Sequence, residues 1–164
     1  MAEILNFSET GRVTRDALSD LQTHFSADLA LVETQISTHM ASAAQLIPEI
    51  GAHIIGAGGK RLRPLLTLSA ASLSGYGGSD HVTLAAAVEY MHTATLLHDD
   101  VVDEAAVRRS MFSINALWKN KIAVLVGDYM LSRVLLLAVE SGDHDLLKIV
   151  STAVRAMSEG ELLQ

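Results

Sequence analysis

Apolar residues recur every three or four positions along most of this chain, which is the spacing of one face of an α-helix. The spacing is clearest at 14–40, where the apolar positions are Leu18, Leu21, Phe25, Leu29, Val32 and Ile36. Further helices are predicted at 43–55, at 62–73, from Ser79 or Asp80 to the aspartates at 99–103, at 115–140 and from 144 to the end. There is no Asn-Gly hairpin and no sustained alternation of apolar and polar residues, so the pattern predicts an all-α fold.

The stretch 122–139 is apolar nearly all round. Gly127, Asp128, Ser132 and Arg133 interrupt it, so it is a poor candidate for a membrane span. A helix without a polar face must be buried on every side or pack against another subunit. We therefore expect 115–140 to lie at the centre of the fold or at a contact between two copies of the chain.

Composition restricts the class of protein. The 164 residues suffice for one domain with a core, and they are predicted to form a single all-helical domain, 1–164. A net charge of −7 without a long run of basic residues argues against a nucleic-acid partner. The absence of cysteine excludes a disulfide or a thiolate metal site. The first residues show no secretory signal, so a cytoplasmic protein is expected.

The aspartate motif, residues 99–103 (DDVVD), follows an apolar helical stretch at 85–97. Asp99 and Asp103 are four residues apart and share a helix face, whereas Asp100 points to the side. Two carboxylates one turn apart suit Mg²⁺, which keeps several waters and binds substrate phosphates. Arg108 and Arg109 follow and could bind those phosphates in bidentate fashion. A solvated helix end is the alternative, although carboxylates rarely follow a buried helix without a purpose.

The basic segment, residues 58–64 (GGKRLRP), is the second dense cluster of functional side chains. Its glycines allow a ligand to approach the backbone, and its three cations lie at the N-terminus of a predicted helix, where anions bind. Lys60 and Arg63 are three residues apart, so both can face one ligand. The alternative is a glycine that ends one helix, followed by solvated basic residues.

Together the two clusters resemble the trans-type polyprenyl diphosphate synthases. The resemblance rests on GGKRLRP at 58–64 and on EYMHTATLLHDDVVDE at 89–104, and NALWKNKIAVLVGDYMLSR at 115–133 continues it. EGELLQ at 159–164 resembles the motif that opens the second half of these enzymes. Within that family, the stretch HTATLLH at 92–98 is most similar to the long-chain, octaprenyl or solanesyl-type synthases. The resemblance implies the N-terminal half of an isoprenoid-synthase-type helical bundle.

The resemblance also implies an activity and a homodimer. Such enzymes condense isopentenyl diphosphate with an allylic diphosphate. Asp99 and Asp103 would bind Mg²⁺ that bridges to the allylic diphosphate, with Asp100 as a hydrogen-bonding neighbour. The implied diphosphate contacts are Arg108 to the allylic substrate and Lys60, Arg63, His92 and Arg109 to isopentenyl diphosphate. Ala94 and Thr95 would form the floor of the pocket for the growing chain and leave room for a long product.

Helix geometry supports one of these assignments independently. His92 precedes Asp99 by seven residues, so it lies only about 20° off the same helix face. His92, Asp99 and Asp103 are therefore expected to line one wall. A lone histidine in an apolar helix is more often a core residue, but this one is aligned with the two carboxylates.

Two departures from the family pattern matter. Ser110, Met111, Phe112 and Ser113 stand where such enzymes usually have Gly, any residue, Pro and Thr. The second aspartate-rich motif is absent from the 164 residues, so this chain alone is expected to be inactive.

A non-catalytic helical partner or regulatory subunit of a prenyl synthase is the main alternative function. A di-iron bundle is disfavoured, because Glu89-x-x-His92 has no second copy.

Overall fold

The computed structural model describes residues 17–56, 59–104, 107–108 and 111–163, apart from the side chains of Arg108 and Met111. Helices make up most of these residues, which confirms the all-α class. The elements are α1 (Ala17–His24), α2 (Ser26–His39), α3 (Leu46–Gly56), α4 (Leu62–Leu73), α5 (Asp80–Val102), β1 (Val107–Arg108), β2 (Met111–Phe112), α6 (Ile114–Trp118), α7 (Asn120–Glu140) and α8 (His144–Leu162).

Two predicted helices are each divided in the structure. The helix expected at 14–40 is interrupted at Phe25, and the one expected at 115–140 is interrupted at Lys119. Lys119 has φ +73°, a left-handed value that ends the hydrogen-bond ladder of α6 before α7 begins. The apolar spacing continues through both breaks, so periodicity alone could not locate them.

Two very short strands, β1 and β2, pair antiparallel, and β2 lies within the loop expected near 110–113. Val107 pairs with Phe112, and Arg108 pairs with Met111. Two residues per strand are too few to show an alternating pattern, so these strands could not be predicted from the spacing of apolar residues.

Helix α5 lies at the centre of the bundle and contacts α2, α4, α6 and α7. The face that it buries consists largely of small residues, including Ala85, Ala86, Ala87 and Ala94. Small side chains let neighbouring helices approach closely, and α7 does so at Gly127, where an added Cβ would collide with the ring of His98. The expectation that the aspartate motif follows a buried helix is therefore confirmed.

Helix α7 is only partly covered by the rest of the chain. Its buried residues are Ala123, Val126, Gly127, Met130, Val134, Leu137 and Ala138. Its exposed large apolar residues are Val124, Leu125, Leu135, Leu136 and Val139. By length and composition α7 could cross a membrane, but core helices of soluble proteins also meet that criterion, so this is weak support for a span.

A polar cluster joins the end of α2 to α7. Arg133 Nη2 lies 2.5 Å from His39 Nδ1, and the Tyr129 hydroxyl donates to the His39 carbonyl at 3.0 Å. Arginine can only donate, so Nδ1 must accept and the ring is neutral. Burial and the charge of Arg133 lower the pKa of His39 and outweigh the opposing effect of Glu140.

We expect His39 to make folding sensitive to mild acid. Because its pKa is lower in the folded than in the unfolded chain, the unfolded state takes up the proton first. The stabilising effect is complete above the unfolded value of about 6.5 and is lost as pH falls towards the folded value. Urea unfolding at pH 7.5 and 5.5 should show a smaller loss of stability for His39→Gln than for the parent chain.

His144→Gln, which changes an exposed histidine at the start of α8, is the matched control. It should keep the acid sensitivity of the parent chain. Equal acid sensitivity in all three proteins would show that His39 is not the group responsible.

Candidate functional site

Helix α5 carries the aspartate motif to its C-terminal end. The helix ends at Val102, and the backbone N–H of Asp103 donates to the carbonyl of Asp99 at 2.8 Å. The helical register thus extends through the motif, and Asp99 and Asp103 lie one turn apart on one side of α5. Asp100 is buried with 3% exposure, whereas Asp99 is partly buried and Asp103 is exposed.

The donor set at this end suits Mg²⁺ in part. No group of three or more histidines, aspartates or glutamates that could hold a metal ion occurs among the described residues. Two carboxylates one turn apart nevertheless fit an ion that takes most of its ligands from water and phosphate. The described residues therefore provide two protein ligands at most, and the rest of the coordination shell would come from elsewhere.

Neighbouring helices fix the end of α5. The Asn115 side chain donates to the Asp100 carbonyl at 2.9 Å, and so satisfies one of the helix-terminal carbonyls. His98 Nε2 lies 3.3 Å from the Val124 carbonyl and 3.4 Å from Asp128 Oδ1, which places His98 against α7. Helices α6 and α7 thereby hold the aspartate motif in place.

The basic segment turns sharply into α4. Gly59 has φ +152° and Arg61 has φ +47°, and α4 begins at the next residue with Pro64 buried in its first turn. Lys60 and Arg63 are exposed. The Gln22 side chain donates to the Lys60 carbonyl at 3.0 Å, so α1 also contacts this turn. Two cations are therefore presented to solvent on either side of a constrained residue.

Arg61 differs from those two cations because two carboxylates bind it. Its Nε lies 2.5 Å from Glu33 Oε1 and its Nη1 lies 3.1 Å from Glu89 Oε1. Burial acts to lower the pKa of Arg61, but the hydrogen bonds and charges of Glu33 and Glu89 outweigh burial, so the pKa is raised. The sequence pattern singled out Lys60 and Arg63 and assigned no partner to Arg61, so both glutamates were missed. The one signal was Glu89, a lone charge in an apolar stretch.

The contact between Arg61 and Glu89 brings the basic segment against α5. Glu89 precedes His92 by three residues and Asp99 by ten, so the segment meets α5 about 15 Å along the axis from the aspartate motif. His92 lies between them and is partly buried. The two clusters recognised in the sequence are therefore arranged along one helix.

The residues predicted to set product length occupy different environments. Ala94 is 1% exposed and belongs to the hydrophobic core. Thr95 is partly buried, and its hydroxyl donates to the His92 carbonyl at 2.8 Å. A side chain larger than alanine at 94 would thus meet packed neighbours.

The hairpin after α5 is tied to α3. His53 Nε2 lies 3.1 Å from the Phe112 carbonyl, and the His53 ring meets the Trp118 ring edge-on at 5.4 Å. Arg109 lies outside the described residues, and of Arg108 only the backbone is described. The predicted roles of these two arginines therefore remain predictions.

Comparison with known families identifies the chain. The sequence profile described as "Polyprenyl synthetase" matches residues 44–164. The chain belongs to the polyprenyl synthetase family. This confirms the resemblance drawn from the two motifs. The octaprenyl diphosphate synthase of Escherichia coli (strain K12) is 44% identical over 137 residues, which are 84% of this chain and 42% of that enzyme.

Solved structures place this polyprenyl synthetase chain in the same fold. A decaprenyl diphosphate synthase from Rhodobacter capsulatus superimposes with a TM-score of 0.86 at 50% identity, covering 90% of this chain and 46% of that one. A polyprenyl synthase from Caulobacter crescentus CB15, complexed with calcium and isoprenyl diphosphate, gives 0.87 at 44% identity, covering 90% and 45%. The chain thus spans less than half the length of these relatives.

Proposed function

We propose that this chain forms the N-terminal half of a chain-elongating prenyltransferase, which condenses isopentenyl diphosphate with an allylic diphosphate. The observation that carries the proposal is the arrangement along α5 of a carboxylate pair in helical register and a basic segment bound through Glu89. Membership of the polyprenyl synthetase family supports it. In this proposal residues 1–164 form one all-helical domain.

We assign Asp99 and Asp103 as the ligands of Mg²⁺. The Caulobacter crescentus relative is complexed with calcium and isoprenyl diphosphate, which supports a divalent cation and a diphosphate in such a site. When bound, Mg²⁺ would neutralise the negative charge that develops on the departing diphosphate. Asp100 would act as a hydrogen-bonding neighbour of the ligands.

The remaining residues bind and orient the two substrates. Lys60 and Arg63 are exposed cations that could bind the diphosphate of isopentenyl diphosphate, together with His92 and Arg109, and Arg108 would contact the allylic diphosphate. Fixed positive groups stabilise the diphosphate as its bond to the allylic carbon breaks, which leaves an allylic carbocation. The double bond of isopentenyl diphosphate then attacks this carbocation. Loss of a proton completes the condensation. Aliphatic helix walls would exclude water from the cation.

We further propose a homodimer in the cytoplasm, without a nucleic-acid partner. The exposed apolar residues of α7 support a contact between two copies, since five large apolar side chains on one helix are costly to leave in water. A non-catalytic partner of a prenyl synthase is the second candidate.

We expect the 164 residues alone to incorporate no isopentenyl diphosphate, because they lack a second aspartate-rich motif. Incorporation of radiolabelled isopentenyl diphosphate into allylic primers measures this directly. Co-expression with the C-terminal half of the Escherichia coli octaprenyl diphosphate synthase should restore turnover if this chain is a catalytic half.

The same co-expression with Asp103→Asn provides the control and should remain inactive. Robust incorporation by the chain alone would contradict the proposal. Binding to the C-terminal half without turnover would favour the non-catalytic partner instead.

A further inference from the structure

Arg61 is bound on all three of its guanidinium nitrogens. Nε and Nη2 donate to the carboxylate of Glu33, at 2.5 and 3.4 Å, and Nη1 donates to Glu89 at 3.1 Å. Its side chain is only 15% exposed, whereas Lys60 and Arg63 are exposed. A guanidinium in contact with two carboxylates is a poor ligand for a further anion, because its charge is already balanced. Arg61 therefore differs in kind from the two cations that flank it.

The backbone conformation of Arg61 is also unusual for a residue other than glycine. A φ of +47° lies in the left-handed region, which an arginine adopts only when other contacts hold it there. The Arg61 carbonyl accepts from the N–H of Leu65 at 3.0 Å, so the first turn of α4 is built on this residue. The conformation of Arg61 thus determines how Lys60 before it and Arg63 after it are directed.

The contacts that hold this turn come partly from the first two helices. Glu33 belongs to α2, and Gln22 of α1 donates to the Lys60 carbonyl. Both residues precede residue 44, where the match to the family profile begins. Helices α1 and α2 therefore contribute to the geometry of the basic segment from outside the matched region.

We propose that Arg61 is a positioning residue: bound between Glu33 of α2 and Glu89 of α5, it fixes the turn from which Lys60 and Arg63 reach a diphosphate. The inference rests on the proposed function for the diphosphate itself. The positioning of the turn can be tested without any ligand.

The first test measures amide hydrogen exchange at residues 61–65 by mass spectrometry, because the Leu65 N–H donates to the Arg61 carbonyl and reports on the turn. Glu33→Gln removes one carboxylate from Arg61, and exchange should accelerate about tenfold, the scale set by hydrogen bonds to charged groups. Glu159→Gln is the matched control, because it removes the carboxylate partner of Arg155 on the surface of α8 and should leave exchange at 61–65 unchanged. Unchanged exchange in Glu33→Gln overturns the proposal, whether or not the chain binds diphosphate.

The second test measures affinity for inorganic pyrophosphate with Mg²⁺ by calorimetry, in a double-mutant cycle. Arg61→Gln and Glu33→Gln should each weaken binding about tenfold, and the double variant should be no weaker than Arg61→Gln, because both changes release the same turn. If Arg61→Gln weakens binding while Glu33→Gln strengthens it, Arg61 is itself a ligand and the proposal is wrong. If neither variant changes affinity, the positioning role is also wrong.

Failure of the proposed function gives a different result. A parent chain that binds no pyrophosphate, yet shows faster exchange in Glu33→Gln, would overturn the diphosphate assignment of the basic segment. The positioning of the turn by Arg61 would still stand on the exchange data.

Discussion

Asp103→Asn should weaken Mg²⁺-dependent binding of pyrophosphate by at least about 10- to 100-fold. Even the hydrogen-bonding partners of metal ligands typically account for losses of that size, and a ligand itself should account for no less. The substitution nearly preserves shape while it removes the negative charge that attracts the cation. Calorimetric titration of the chain with pyrophosphate, with and without Mg²⁺, measures the effect.

The free energy of unfolding of Asp103→Asn should not fall together with its affinity for pyrophosphate. Asp103 caps the C-terminus of α5, where a negative charge opposes the helix dipole. Asp103→Asn should therefore leave the free energy of unfolding unchanged or raise it by about 0.3–1 kcal/mol. A variant that binds less tightly without being less stable would identify Asp103 as a residue retained for binding.

Asp145→Asn is the control, since it changes an exposed aspartate in the first turn of α8. It should not alter pyrophosphate affinity. Equal affinities for Asp103→Asn and the parent chain would remove the carboxylate pair from the proposed site.

Ala94→Phe should shorten the product of the complete enzyme that we propose contains this chain. A phenyl ring would block the pocket. Each further CH₂ of the growing chain that is buried there stabilises the bound product by about 0.8 kcal/mol, and a blocked pocket would lose this stabilisation. The first condensation should proceed largely unchanged. Chromatography of the products after complete reaction measures the distribution of chain lengths.

The structure indicates that this substitution also lowers the stability of the chain. Ala94 is 1% exposed, so a phenyl ring should also lower the stability of the chain, by about 1–3 kcal/mol. Ala94→Val is a smaller change that serves as a second variant if the first folds poorly. Ala70→Phe, on an exposed position of α4, is the control and should alter neither product length nor stability. An unchanged distribution in both Ala94 variants would place the pocket floor elsewhere.

Much of this molecule follows from local sequence. Helix α4 begins and ends where the pattern predicted, because a glycine-rich segment precedes it, Pro64 fits its first turn and glycines follow it. Helix α5 reaches the aspartate motif because uninterrupted apolar spacing favours continued helix. The register of Asp99 and Asp103 then needs only helical geometry, so the carboxylate pair was predictable without a structure.

Tertiary contacts decided the rest. The partners of Arg61 lie 28 residues away on either side, at Glu33 and Glu89. The spacing within the basic segment separates Lys60 and Arg63 from Arg61, but it cannot show that Arg61 binds two carboxylates. The break at Lys119, where φ is +73°, divides a helix that local spacing predicted as continuous. The pairing of β1 with β2 was likewise not predictable from the spacing. Local preferences determine which residues can form a helix, whereas the packing of α2 and α5 against the basic segment determines which cation is neutralised and which remain exposed. Charge pairing depends on distances that only the folded chain sets.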